Sequence, residues 1–114
     1  MIYLLNAPIL TAYGEWHFKG PISQETARSL IHNQATTSAI GHESSAVLLS
    51  HILGRPVEVQ RISVQLQPGD NALVLRLCER LPEGAVLDTE QLANTPYELG
   101  WLSYVRPNTP NQSI

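Results

Sequence analysis

Between Thr37 and Gly54 the chain reads as a short strand, a glycine and then an amphipathic helix, and no other segment constrains the fold as much. The strand spans about Thr37 to Ile40. In the helix, Ala46, Leu49 and Leu53 follow His42 at helical spacing on one face, Leu48 and Ile52 widen the stripe, and Gly54 supplies a left-handed stop. A helix start presents unpaired N–H groups, and its macrodipole favours an anion in front of them. A histidine there can give a proton to a phosphate-ester oxygen, so Ser38-Ala39-Ile40-Gly41-His42-Glu43-Ser44-Ser45 suggests phosphodiester chemistry. The same spacing also fits a surface histidine in the first turn of an ordinary helix.

The other elements follow from periodicity. Ile2 to Leu5 reads as a buried strand and Glu15 to Phe18 as a half-exposed one. A helix is expected over Gln24 to Asn33, capped by Ser23, with Ala27, Leu30 and Ile31 inside. Ile62, Val64 and Leu66 alternate along Arg61 to Leu66, a turn follows at Pro68-Gly69-Asp70-Asn71, and Ala72 to Leu77 returns, so the pair reads as an antiparallel hairpin. Leu81-Pro82-Glu83-Gly84 reads as a loop, Thr89 to Leu92 as a capped helical turn and Gly100 to Val105 as a last strand. The tail from Arg106 to Ile114 has no apolar pattern and is expected to be mobile. Together these elements predict an α/β or α+β domain over residues 1–105, a small mixed sheet with helices packed on it.

With 114 residues and a hydrophobic fraction of 43%, the chain has the size and make-up of one globular domain. Its formal net charge of −3 supplies no general basic field for duplex nucleic acid. A nucleotide ligand would have to meet a local arginine cluster, and six of the seven basic residues are arginine. Cys78 is the sole cysteine, which excludes an internal disulfide framework. It lies in an apolar alternation and is expected to be a small core residue in a reducing cytoplasm. The N-terminal apolar run is too short for a signal or membrane span.

Few chemical constellations survive inspection. His42 and His51 lack the spacing of a helical metal pair, and no HExxH, serine-hydrolase elbow, Walker or dinucleotide glycine pattern occurs. His17 and His32 read as surface residues. Arg80 and Glu83 fall at a strand end and in the loop after it, where functional or merely solvated charges both occur. Arg61 can equally be a rim charge paired with Glu58 or Glu79, and Arg76 a solvated face residue. A histidine, one or two arginines and a glutamate without metal suit cleavage of an RNA-like phosphodiester by its own 2′-hydroxyl.

Leu4-Leu5-Asn6-Ala7-Pro8-Ile9-Leu10, Ser38 to Glu43, Gln60-Arg61-Ile62 and Arg80-Leu81-Pro82-Glu83-Gly84-Ala85-Val86-Leu87 together resemble the viral ring nuclease family. Its members are type III anti-CRISPR proteins, with cellular counterparts, that degrade the cyclic tetra-adenylate second messenger. The resemblance reaches to about Val105. It implies a two-fold homodimer with the ligand across the interface, a fit for an even-membered ring. It implies that His42 is the general acid and that Glu83 orients the histidine or a hydroxyl. Arg61 and Arg80 would hold the scissile phosphate, with Asn6, Ser44 and Ser45 as polar ligand contacts. Residues from about Leu77 to Thr89 would close over the ring. Arg76 stands where some relatives carry an uncharged amide, and would add a phosphate or stacking contact if it faces the ligand.

The expected activity is metal-independent conversion of cyclic tetra-adenylate to linear di-adenylate with a 2′,3′-cyclic phosphate, without cofactor, in the host cytoplasm if the gene is viral. An alternative is a protein that sequesters a cyclic oligonucleotide, or engages another protein, without chemistry. A duplex-DNA regulator is disfavoured by charge and by the lack of a basic recognition helix.

Overall fold

The computed structural model describes residues 1–78 and 89–108. Strands β1 (Ile2–Leu5), β2 (Glu15–Lys19), β3 (Thr36–Ser38), β4 (Asn71–Leu77) and β5 (Tyr97–Arg106) form one mixed sheet in the order β2-β5-β4-β1-β3. β1 runs parallel to both β3 and β4, whereas β5 is antiparallel to β4 and β2. Central β4 carries Ala72, Leu73, Val74 and Leu75, each 0% exposed. A strand covered on both faces has no side to give to water, which is why this run is continuously apolar.

Helices α1 (Gln24–Ile31) and α2 (Glu43–Leu53) are part of the core on one face, where Ile31, Leu48, Leu49 and Ile52 pack with Leu4, Leu73, Leu75 and Leu99. Each such side chain contributes about 1.5–3 kcal/mol by leaving water. Ser23 caps α1 by accepting from the Thr26 N–H at 3.0 Å, as its residue type predicts. Gly54 ends α2 at φ 69°, its N–H donating to Ser50 O at 2.9 Å. Arg28 ties the two helices together by donating Nε to the Ile52 carbonyl at 2.7 Å. A short α3 (Thr89–Asn94) precedes β5.

The opposite face is covered by chain that belongs to no strand or helix. Leu5, Ala72, Val74, Leu102 and Tyr104 form its core with Leu66, and Ala12, Trp16 and Val64 pack around them. The Trp16 and Tyr104 rings stack at 4.2 Å, 5° from parallel. Residues 6–14 cross this face: Trp16 Nε1 donates to Ala12 O at 3.1 Å, and the Tyr104 hydroxyl donates to Tyr13 O at 2.9 Å. The Leu66 N–H donates to Thr11 Oγ1 at 3.1 Å, joining the two covering segments.

Leu30 is exposed, so of the residues expected inside α1 only Ala27 and Ile31 are buried, and three further expectations are corrected. Arg61 to Leu66 is not a strand, because both edges of β4 are occupied by β1 and β5. Pro68 and Gly69 do form a tight turn, with Gly69 at φ 92° and the Asp70 N–H donating to Gln67 O at 2.9 Å, but it leads into β4 from a covering segment. Cys78 is exposed, since it lies one residue past the end of β4. The tail begins later than expected: Arg106 is the last residue of β5 and pairs through Nε with Glu15 Oε2 at 2.9 Å. Residues 109–114 lie outside the described residues, as does the loop expected at Leu81 to Gly84.

Candidate functional site

The site is built at the carboxyl edge of the parallel strands. β1 and β3 pair with Leu4 opposite Ser38, so the residues that follow, Asn6 after β1 and Ile40-Gly41-His42 after β3, emerge at the same edge. Open α/β sheets place ligands at such strand ends. His42 has extended backbone, φ −117° and ψ 130°, at the N-cap of α2, and its carbonyl accepts the Ala46 N–H at 3.0 Å. The residue is exposed. Glu43 puts a carboxylate into the first turn, which offsets part of the positive helix end. An anion placed at this edge would therefore need a nearby cation.

That cation is Arg61, and a short ladder delivers it. Ser38 Oγ donates to the Glu58 carbonyl at 2.5 Å, the Gln60 N–H donates to the Ile40 carbonyl at 2.9 Å, and Arg61 Nε donates to the Gly41 carbonyl at 3.0 Å. Ile40 and Val59 form a parallel bridge in the same register. Residues 58–61 thus extend the sheet edge beyond β3 and end with a guanidinium beside the residue that precedes His42. Among the described residues no carboxylate pairs with Arg61, so the pairing with Glu58 considered from sequence is not formed. Glu58 Oε2 instead accepts from Gln60 Nε2 at 3.0 Å.

The remaining sequence candidates separate. Asn6 is half-buried in the bend after β1. Ser44 and Ser45 are each 4% exposed, so contact with a ligand requires their cover to shift. Arg76 is on the face opposite the helices, bonded through Nη1 to Glu98 Oε1 at 2.7 Å, and is not gathered with His42. It borders a depression of about 230 Å³ lined also by Phe18, Lys19, Val74, Glu98 and Gly100. Arg80, Glu83 and the closing segment between Leu77 and Thr89 fall on or across residues 79–88, outside the described residues. His17 and His32 are exposed, as expected. Among the described residues no group of three His, Cys, Asp or Glu could hold a metal ion, and no helix is long and apolar enough to cross a membrane.

Sequence reasoning missed the supports. Ser38 and Gly41 sit inside the motif that singles out His42, yet their residue types alone point to no task for either. The signal for Ser38 was a polar residue closing a short strand next to an apolar pair, and for Gly41 a small residue directly before a candidate proton donor.

A single mixed sheet, helices on one face, irregular cover on the other and a strand–glycine–histidine–helix junction at its edge define a small one-domain α/β protein. The chain belongs to the STIV B116-like family, whose model matches residues 2–99. It is 37% identical over 112 residues to the uncharacterised protein ORF117 of Acidianus two-tailed virus, covering 93% of this chain and 95% of that one. With the uncharacterised protein 26 of a Sulfolobus islandicus filamentous virus it shares 33% identity over 106 residues, 90% of this chain and 89% of the relative. B116 of Sulfolobus turreted icosahedral virus has the same fold, with a TM-score of 0.71 over 90% of this chain and 97% of B116 at 22% identity. These relatives are virus proteins, which fits a viral origin for this chain.

Proposed function

We propose that the protein is a metal-independent ring nuclease that opens cyclic tetra-adenylate and so switches off type III CRISPR signalling. The observation that carries this reading is the junction of Arg61 with Gly41-His42: an exposed guanidinium is bonded to the residue preceding an exposed imidazole at a helix start. An RNA-like phosphodiester needs few other groups. The ribose 2′-hydroxyl attacks the adjacent phosphorus and gives its proton to solvent water, and the bond from phosphorus to the 5′-oxygen breaks as His42 protonates that oxygen. The products are a 2′,3′-cyclic phosphate and a free 5′-hydroxyl. Arg61 offers its Nη groups to the non-bridging oxygens, where charge builds in the transition state. The family resemblance adds Arg80 as a second phosphate contact, Glu83 as the group orienting histidine or hydroxyl, and Asn6, Ser44 and Ser45 as polar contacts. In this reading two copies of the chain form a two-fold dimer across one ring, each cutting one of two opposed linkages. Its place of action is the host cytoplasm.

The test is incubation of excess cyclic tetra-adenylate with the protein in EDTA, with products resolved by chromatography and a six-membered ring in parallel. Many equivalents of linear di-adenylate with a 2′,3′-cyclic end are expected. Stoichiometric retention of intact ring would instead support sequestration without chemistry, and neither binding nor cleavage would overturn both readings. Sedimentation with and without ligand tests the dimer.

A further inference from the structure

We propose that Gly41 is a positioning residue, acting through the absence of a side chain to hold Arg61 in its anion-binding pose. This rests on the reading of the edge as a phosphodiester site. A methyl group at position 41 would stand 3.1 Å from Arg61 Cγ and 3.9 Å from its Cδ and Nε. The arginine stem therefore lies flat against Gly41, close enough for Nε to reach the Gly41 carbonyl at 3.0 Å. That bond uses the one guanidinium N–H group nearest the stem, and among the described residues nothing engages Nη1 or Nη2, which face a ligand in this reading. Arg28 is tethered in the same way, through Nε to the Ile52 carbonyl, but at the C-terminal end of α2, away from His42 at its start; the other described arginines are committed differently. Arg76 and Arg106 are ion-paired with Glu98 and Glu15, and Arg55 spends Nη1 and Nη2 on Gln34 O and Thr36 Oγ1.

A contact of 3.1 Å is tighter than carbon pairs ordinarily keep, so one partner must give by a few tenths of an ångström. Arg61 is exposed and can swing into solvent, whereas position 41 is fixed between the Ile40–Val59 bridge and the first turn of α2. An added methyl thus pushes the arginine stem off Gly41 by a few tenths of an ångström, lengthening the 3.0 Å tether, and leaves the fold alone. An exposed arginine without its tether has several rotamers to lose on meeting a phosphate, and preorganisation removes that cost.

Two measurements test this. The first is hydrogen exchange of the Arg61 Nε–H by NMR, which needs no ligand: slowed exchange is expected in the wild-type protein and faster exchange in Gly41→Ala, with unchanged melting temperature. Equal exchange in both proteins overturns the proposal. The second is affinity for cyclic tetra-adenylate by calorimetry, in a His42→Ala background so that the ring survives. Gly41→Ala is expected to weaken binding about ten-fold when Arg61 is present and to change nothing when Arg61→Ala is already in place. An equal loss in both backgrounds would assign Gly41 a merely structural role while leaving the ring nuclease reading standing. If no variant binds and the wild-type protein cleaves nothing, the ring nuclease reading fails, and the exchange measurement alone decides whether Gly41 holds Arg61.

Discussion

Ser38 Oγ donates to the main-chain carbonyl of Glu58 at 2.5 Å, while also lying 3.3 Å from the N–H of Ile40, which donates to it. One buried hydroxyl thus fixes the turn out of β3 and the register of the segment that brings Arg61. Ser38→Ala is expected to cost about 1 kcal/mol, the usual net worth of such a bond, read by chemical denaturation. Ring affinity should fall as well, because the ladder that carries Arg61 starts here. A loss of stability with undiminished affinity would mean that Gln60 and Ile40 hold the register unaided.

His42→Ala should slow ring opening by roughly a hundred- to ten-thousand-fold, the range for loss of a positioned general acid, with little change in binding. Single-turnover chromatography against calorimetry separates the two. Unchanged turnover would remove His42 from the chemistry.

Arg61→Ala is expected to leave stability within about 0.5 kcal/mol, as for an exposed side chain, yet weaken ring binding and lower the cleavage rate. Arg61→Lys should restore little, since an ammonium on a flexible stem has no Nε–H to tether to Gly41 O and no planar fork for a phosphate. Full rescue by lysine would show that charge alone matters.

Tyr104→Phe removes the hydroxyl that donates to Tyr13 O across 91 residues of sequence. A cost of about 0.5–1.5 kcal/mol is expected, together with faster amide exchange in residues 6–14. Unaltered exchange there would assign the seating of this crossing segment to Trp16 and Thr11 instead.

Leu66→Ala should be costlier, about 2–4 kcal/mol, because Leu66 is 1% exposed within the second core. Amides of residues 62–65 should nonetheless exchange faster than those of β4, since the segment belongs to no sheet ladder. Strand-like protection over 62–65 would revive the hairpin.

The failed hairpin shows where sequence stops. Alternation at Ile62, Val64 and Leu66 reports an extended backbone with one side turned inward, and Val64 and Leu66 do face the second core. Period-two patterning is the same whether the neighbours are hydrogen-bonded strands or a sheet face beneath. Cys78 failed similarly, because an alternation in the residues carries no mark of where β4 stops.

Near-neighbour chemistry determined β1, the Ser23 cap and the span from Glu43 to Gly54, since hydrogen bonds and apolar stripes within one element are set by residues a few positions apart. His42 stood out for the same reason. Tertiary structure alone decided that β4 lies between β1 and β5, and that Arg61, nineteen positions further along, comes to rest on Gly41 while Arg76 is drawn to Glu98. Those outcomes depend on competition among distant edges and charges for the same partner, and only the assembled sheet shows which one wins.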